Sequence, residues 1–288
     1  HIKRSLVRKD NEYIYVPHDV NSPNLTFRKE ALDHFDTIFS SGPLCTEEIK
    51  RREELYKLPQ KKIIPWGSSV IDNMIQSCNA MEIQKKQWKQ ILIAPSWQKD
   101  NILYTCIEEI LHLLQGYGYH IIIRPHPQFV RHEAERLNAL REKFQIDARN
   151  NMELQTDFSS NRTVYEADLV ITDWSSIAFE YSFATLKPSL FINTPMKVMN
   201  EDYEELGITP IDIALRSRIG KSIDLDELAS LPQAVYELLH DNAFSRDSIA
   251  KIRDKYIYHI GHSGEVGAAY IMERLAYYQK RHEEEEEY

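Results

Sequence analysis

Cysteine is scarce in this chain: three thiols in 288 residues, Cys45, Cys78 and Cys106. They lie far apart and at no metal-ligand spacing, which argues against a disulfide framework or a thiolate zinc site and reads as reduced, mostly buried thiols of a cytoplasmic protein. Long apolar runs are missing as well. No stretch approaches the roughly 18 residues that a membrane span needs, and no signal-peptide pattern opens the sequence. Positive charge is in deficit, 35 Lys and Arg against 44 Asp and Glu, a formal net charge of −9. That balance argues against a nucleic-acid partner. Part of the acidic excess is the run Glu283 to Glu287, expected to be solvated, and it is the one low-complexity segment; there is no internal repeat. Basic residues gather only locally, at Lys3 to Lys9 and Lys50 to Lys62. The first residue is His1 and not Met, so a longer parent chain is expected.

What is present is 42% hydrophobic content, enough for a sizeable core and for two domains. Strand and helix signals alternate. Glu12–Val16, Asp36–Ser40 and Lys62–Pro65 read as strands, with helices expected at Phe27–Phe35, Thr46–Tyr56 and Ser69–Cys78. The polar stretch Ala80–Gln90 reads as a linker. A second series follows it. Strands are expected at Ile91–Ala94, His120–Arg124, Leu169–Thr172 and Ser189–Asn193. Helices are expected at Asn101–Gln115, Phe129–Phe144, Ser176–Leu186, Glu227–His240, Asp247–Tyr256 and Glu265–Lys280. The alternation predicts an α/β fold of two Rossmann-like domains with parallel sheets, residues 1–85 and 86–288, the first incomplete at its amino-terminal end because three βα units are fewer than such a half usually has.

Open α/β sheets bind ligands at the carboxyl ends of their strands, and four polar constellations fall there. Val16-Pro17-His18-Asp19 places a histidine just past a strand, which either caps the following loop or does chemistry. Ala94-Pro95-Ser96-Trp97 is the second. In Ile123-Arg124-Pro125-His126-Pro127 two prolines stiffen a cationic turn before a helix; arginine suits bidentate phosphate recognition, and an imidazole either hydrogen-bonds a phosphate oxygen or moves a proton near neutral pH. The fourth is Thr172-Asp173-Trp174-Ser175-Ser176, a cluster of N-cap residues leading into the apolar Ile177, Ala178, Phe179 and Tyr181. It reads either as a plain helix cap or as a phosphate site, since a helix N-terminus presents free N–H groups and a positive dipole end. His259 to Gly264 reads as a glycine turn into the last helix rather than as zinc ligands. No carboxylate cluster calls for a metal, and no cofactor is indicated.

TDWSSIAFEY with its KPSLFIN continuation, RPHP, IAPSW and IIPWGSSVIDNM resemble the CDP-glycerol glycerophosphotransferases of teichoic-acid and capsule polymer synthesis, from about Tyr13 to the final helix. That resemblance implies a GT-B fold with the active site in the cleft and final helices that cross back to the first domain. It implies transfer of glycerol phosphate from CDP-glycerol to a hydroxyl of a lipid-linked or polymeric envelope acceptor, with CMP leaving, at a peripheral position on the inner face of the membrane. The residues that carry over are His18 and His126 as catalytic residues, with Ser96, Arg124, Asp173, Ser175 and Ser176 on the nucleotide and its phosphates. There are two departures. The family's Trp-His-Gly is represented by Pro17-His18-Asp19, and its Gly-Tyr-Pro-Arg turn by Trp66-Gly67-Ser68-Ser69, without the arginine. Two other readings of the same residues stand beside this one: a GT-B glycosyltransferase using a nucleotide sugar, and a non-catalytic nucleotide-binding subunit of an envelope-assembly complex.

Overall fold

Ile91, Leu92 and Ile93 are fully buried, as a strand covered on both faces requires, and the larger of two parallel sheets is built around them. The computed structural model describes residues 11–82 and 86–286. The smaller sheet holds β1 (Ile14–Tyr15), β2 (Thr37–Ser40) and β3 (Lys62–Pro65) in the order β1-β2-β3. The larger holds β4 (Gln90–Ile93), β5 (His120–Ile123), β6 (Met152–Leu154), β7 (Leu169–Thr172), β8 (Ser189–Asn193) and β9 (Gly220–Asp224) in the order β6-β5-β4-β7-β8-β9. All neighbouring strands are parallel. The strand order reverses between β4 and β7, which makes the gap at their carboxyl ends a topological switch point.

Both faces of the larger sheet are covered. Ile110, Leu111, Leu140 and Val235, from helices Ile107–Leu114, Ala134–Phe144 and Leu231–His240, pack with Ile91, Ile93 and Ile171 on one face. Met74 and Tyr181 pack with Leu92, Ile122 and Val170 on the other. Burying a side chain of this kind fully contributes about 1.5–3 kcal/mol.

Four local expectations differ from the structure. The helix expected at Phe27–Phe35 does not form. Ser22 and Pro23 start a shorter one, Pro23–Thr26, because the Ser22 side chain accepts the N–H of Leu25 and Pro23 sits in the first turn; Pro in that turn and a serine cap are a stronger start signal than the later apolar spacing. Leu32 and Phe35 still reach the core of the small sheet, with Tyr15 and Ile38. The strand expected at Glu12–Val16 shrinks to β1 at the sheet edge. The helix expected at Asn101–Gln115 breaks at Cys106 (φ −147°, ψ 8°), and the one at Phe129–Phe144 breaks at Glu133 (φ −124°, ψ 34°). The two edge strands β6 and β9 had no strand signal in the sequence.

Helix Ser69–Ala80 follows β3 in sequence but lies along helix Ile177–Thr185, with Ile71 beside Phe179 and Phe183. The helix Ser263–Glu286 returns to the small sheet, where Tyr270 meets Phe39 edge-on at 5.7 Å. Tyr270 also donates to Glu12 Oε1 at 2.7 Å, and Arg274 pairs with the same carboxylate. Gly67 has φ +101°, and a Cβ there would lie 2.3 Å from the carbonyl oxygen of Tyr258, so only glycine fits where the chain leaves β3. The division expected at residues 85 and 86 adjoins residues 83–85, which lie outside the described residues, as do the basic cluster Lys3 to Lys9 and Glu287.

The loop after β1 is clasped by the larger sheet's side of the molecule. Val20 is fully buried with Phe179, Phe183 and Ile211. The N–H of Ser22 donates to Asp212 Oδ2 at 2.7 Å, and Ser22 Oγ donates to Glu48 Oε2 at 2.8 Å. Asn24 Nδ2 donates to the Tyr203 carbonyl at 2.8 Å, and the N–H of Met199 to the Leu25 carbonyl at 3.0 Å.

Burial pushes the Glu48 carboxyl up to about 8 and that of Asp212 up to about 7, from ordinary values of 4.5 and 3.8. A carboxyl whose folded-state value is raised binds its proton more tightly in the folded protein, so its stabilising contribution is complete below the ordinary value and is lost as pH climbs through the raised one. The melting temperature should therefore fall by several degrees between pH 6 and pH 8.5, and Glu48→Gln should flatten that fall. Thermal unfolding at the two pH values checks this; a variant with the wild-type slope would remove Glu48 from the explanation.

Candidate functional site at the switch point

β4 ends at Ile93 and β7 at Thr172, and the loops that leave them are locked together. Thr172 Oγ1 donates to the carbonyl of Ala94 at 2.6 Å. Asp173 is buried. Its Oδ1 accepts the N–H of Ser96 at 2.7 Å and of Trp174 at 2.7 Å, and its Oδ2 accepts the N–H of Ile102 at 3.0 Å. Both carboxylate oxygens are thus engaged with backbone amides. A carboxylate held in this way fixes the shape of the two loops, where the sequence suggested a direct contact with the nucleotide. Asn101, also buried, donates from Nδ2 to the Ser96 carbonyl at 2.8 Å.

Ser96 is only 3% exposed, and its Oγ has no hydrogen-bond partner among the described residues. A buried hydroxyl without a partner costs on the order of 1–3 kcal/mol, so a group that binds beside it gains what the apo fold leaves unsatisfied. Helix Ile177–Thr185 begins next to it. The side chain of its N-cap Ser176 accepts no first-turn amide, and Ser175 Oγ accepts the N–H of Ile177 only at 3.5 Å. The helix N-terminus therefore keeps its dipole end and its loosely capped amides for an anion.

His126 caps helix Pro127–His132, its Nδ1 accepting the N–H of Gln128 at 3.2 Å. That bond makes Nε2 the protonated nitrogen of the neutral ring and hence a donor. The ring stacks on Trp97 at 5.9 Å and 19°. Burial, then the charge of Lys197, lowers its pKa, which favours this neutral form. Arg124 goes elsewhere. Its guanidinium donates to Gln155 Oε1 at 2.8 Å, Asn161 Oδ1 at 2.7 Å, the Ser160 carbonyl at 3.1 Å and Thr163 Oγ1 at 3.3 Å, and lies over Phe158. These partners lie in the segment that links β6 to β7, Thr163 within the helix Arg162–Glu166, and they occupy the guanidinium.

His18 stands on the clasped loop after β1, its side chain 81% exposed and its Nε2 3.7 Å from Asp19 Oδ2. Burial raises the pKa of Asp19, and His18, Asn21 and Lys197 oppose that. Lys197, in the segment after β8, is near enough for its charge to act on both Asp19 and His126. Glu180 lies in the first turn of helix Ile177–Thr185. Its carboxyl, hydrogen-bonded by the Ser176 side chain and within reach of the Asp19 charge, is pushed up to about 7 by burial.

Three groups escaped the sequence reading: Glu180, Lys197 and Arg216. Glu180 sits one turn after Ser176 inside an apolar helix, and a lone acid at such a position was a usable signal. Arg216 lies in Ile211-Asp212-Ile213-Ala214-Leu215-Arg216, two charges in an otherwise apolar stretch, and both are buried.

A family model described as CDP-Glycerol:Poly(glycerophosphate) glycerophosphotransferase matches residues 16–206. No curated protein matches the chain in sequence. Among solved structures, a histidine variant of the wall teichoic acid polymerase TagF superposes with a TM-score of 0.56 at 14% identity, covering 91% of this chain and 68% of that one. A second TagF histidine variant, soaked with CDPG, gives 0.55 at 15% identity over 100% and 72%. At these identities the likeness is one of fold, a GT-B-like pair of Rossmann-type sheets.

Proposed function

The chain belongs to the CDP-glycerol:poly(glycerophosphate) glycerophosphotransferase family, and from that premise we propose how its cleft moves glycerol phosphate from CDP-glycerol to an acceptor hydroxyl. The observation that carries the reading is the switch-point site itself: an unpartnered buried hydroxyl, Ser96 Oγ, beside a loosely capped helix N-terminus at Ser175 and Ser176. Phosphate oxygens are acceptors with negative charge, and this site offers donors and a positive dipole end.

The donor's phosphates bind at Ser96, Ser175 and Ser176, and His126 donates from Nε2 to a phosphate oxygen. Asp173 holds the turn. The acceptor oxygen bonds to the phosphorus that bears glycerol, its proton passes to His18, and the bond from that phosphorus to the bridging oxygen breaks as CMP leaves with the electron pair. Lys197 supplies positive charge beside His126. The work of the protein is positioning and charge stabilisation, which together account for most of the rate in phosphoryl-type transfer. Arg124, tied to residues 155–163, shapes the outer wall of the donor side through that segment. Among the described residues no helix is long and apolar enough to cross a membrane; action on a lipid-linked acceptor requires docking at the cytoplasmic face, where nucleotide-activated donors are found.

Replacing Ser175 and Ser176 together by Ala should weaken CDP binding by about 1–3 kcal/mol, the scale of hydrogen bonds to a charged group. Calorimetry on the folded double variant measures this. Unchanged affinity would make the two serines ordinary helix-start residues and remove the phosphate site.

A further inference from the structure

Arg216 is a buried cation beside the switch point to which the reaction above assigns no part. It is 5% exposed. Nη1 donates to the backbone carbonyl of Asp173 at 3.1 Å, Nη2 donates to Asn193 Oδ1 at 2.7 Å, and Nε lies 3.5 Å from Ser222 Oγ. The guanidinium carbon lies over two rings, 4.0 Å from the centre of Trp174 and 4.4 Å from that of Phe191. Trp174 is fixed in turn by its indole Nε1, which donates to the Thr194 carbonyl at 2.8 Å.

No carboxylate lies within ion-pair distance of Arg216 among the described residues; its direct contacts are neutral oxygens and rings, and the charges of Asp173, Asp212 and Asp224 act on it from farther off. Burial lowers its pKa to about 10, which leaves it charged at neutral pH. Burying a guanidinium without an ionic partner is costly. A neutral side chain could fill the same space, so the charge and the fork need a use. The fork grips the carbonyl of the residue that starts the Ser175–Ser176 turn, and the plane holds the residue between. Positive charge behind that turn also adds to the helix dipole in front of it.

We propose that Arg216 is a positioning residue for the donor: by holding the Asp173 carbonyl and stacking Trp174, it keeps the backbone amides of Ser175 and Ser176 aimed at the donor's phosphates. This rests on the reading of those two serines as the phosphate contact. Lysine keeps the charge and loses the fork and the plane, so Arg216→Lys isolates the geometric part of the role.

The test compares two ligands on one variant. Binding of CDP is measured by calorimetry and binding of cytidine, which has no phosphate, by ligand-detected NMR, after thermal unfolding has shown a cooperative transition. Arg216→Lys should bind CDP roughly 10- to 100-fold more weakly, the scale of one or two hydrogen bonds to a charged group, and cytidine within about twofold of the wild type. Equal weakening of both ligands, or unchanged CDP binding, overturns the proposal. Should Arg216→Lys fail to unfold cooperatively, Trp174→Phe decides, because it keeps a ring against the guanidinium and loses the bond to Thr194; a selective loss for CDP of about 3- to 10-fold is expected, and wild-type CDP binding overturns the proposal. If the wild type binds UDP or ADP in place of CDP, the donor reading fails, and the same comparison on that diphosphate and its nucleoside still decides Arg216. A wild type that binds no nucleoside diphosphate sinks both.

Discussion

His18→Ala is expected to lower turnover by about 10²- to 10⁴-fold while leaving CDP affinity almost intact, the signature of a lost general base rather than a lost binding group. The argument is geometric. The imidazole is exposed and, among the described residues, has only the long 3.7 Å approach of Asp19 as an ionic partner, so a hydroxyl can reach it. The loop that carries it is held from both sides, through Ser22 to Asp212 and Glu48 and through Val20 in the apolar cluster with Phe179. The proposed base thus stands on a loop held against the larger sheet's side of the molecule. His126→Ala makes the contrast: its ring carries the Nε2 donor and stacks on Trp97, so its loss should reduce CDP affinity and turnover together. A rate assay and CDP calorimetry on the two variants separate the roles. Wild-type turnover in His18→Ala would make that histidine structural and leave the mechanism without a base.

Asp173→Ala is expected to have the largest effect on the fold. It leaves the buried amides of Ser96, Ile102 and Trp174 without their acceptor, and each lost bond to a charged group costs about 1.5–3 kcal/mol. A total on the order of 4 kcal/mol or more would lower the melting temperature by roughly 10 °C in a chain of this size. Asp173→Asn keeps one acceptor oxygen and should fall between. A melting curve for Asp173→Ala within 2–3 °C of the wild type would show that the loops do not depend on this carboxylate.

The same residue shows where sequence reading stops. Ala167 to Tyr181 announced a strand, a turn and a helix, because Leu169, Val170 and Ile171 form a continuous apolar run and the polar cluster after them suits a helix start. That much is local chemistry. Two of the three amides that occupy Asp173 come from residues 96 and 102, more than 70 positions away in sequence, and nothing within the motif indicates them. Strands β6 and β9 were hidden for a related reason. Gly220-Lys221-Ser222-Ile223-Asp224 is an edge strand with partly exposed positions, so it needs neither an apolar run nor strict alternation. Helix Ser69–Ala80 was readable as a helix. Its packing on Ile177–Thr185 was not, because sequence adjacency to β3 suggested the small sheet. Arg124 had the right chemistry for phosphate, and only the fold shows its fork engaged by Gln155 and Asn161. Ser96, by contrast, could be placed from its position past a strand, and its unpartnered Oγ is what the fold adds.

The central claim is transfer of glycerol phosphate rather than of a glycosyl or glyceryl group, and the nucleotide that is released reports on it directly. Purified protein would be incubated with CDP-glycerol and a glycerol-phosphate-primed acceptor, and the nucleotide products separated by chromatography over time. CMP appearing in step with acceptor elongation is the predicted result. Release of CDP, which would mean cleavage on the glycerol side of the second phosphate, or no acceptor-dependent nucleotide product at all, would contradict it.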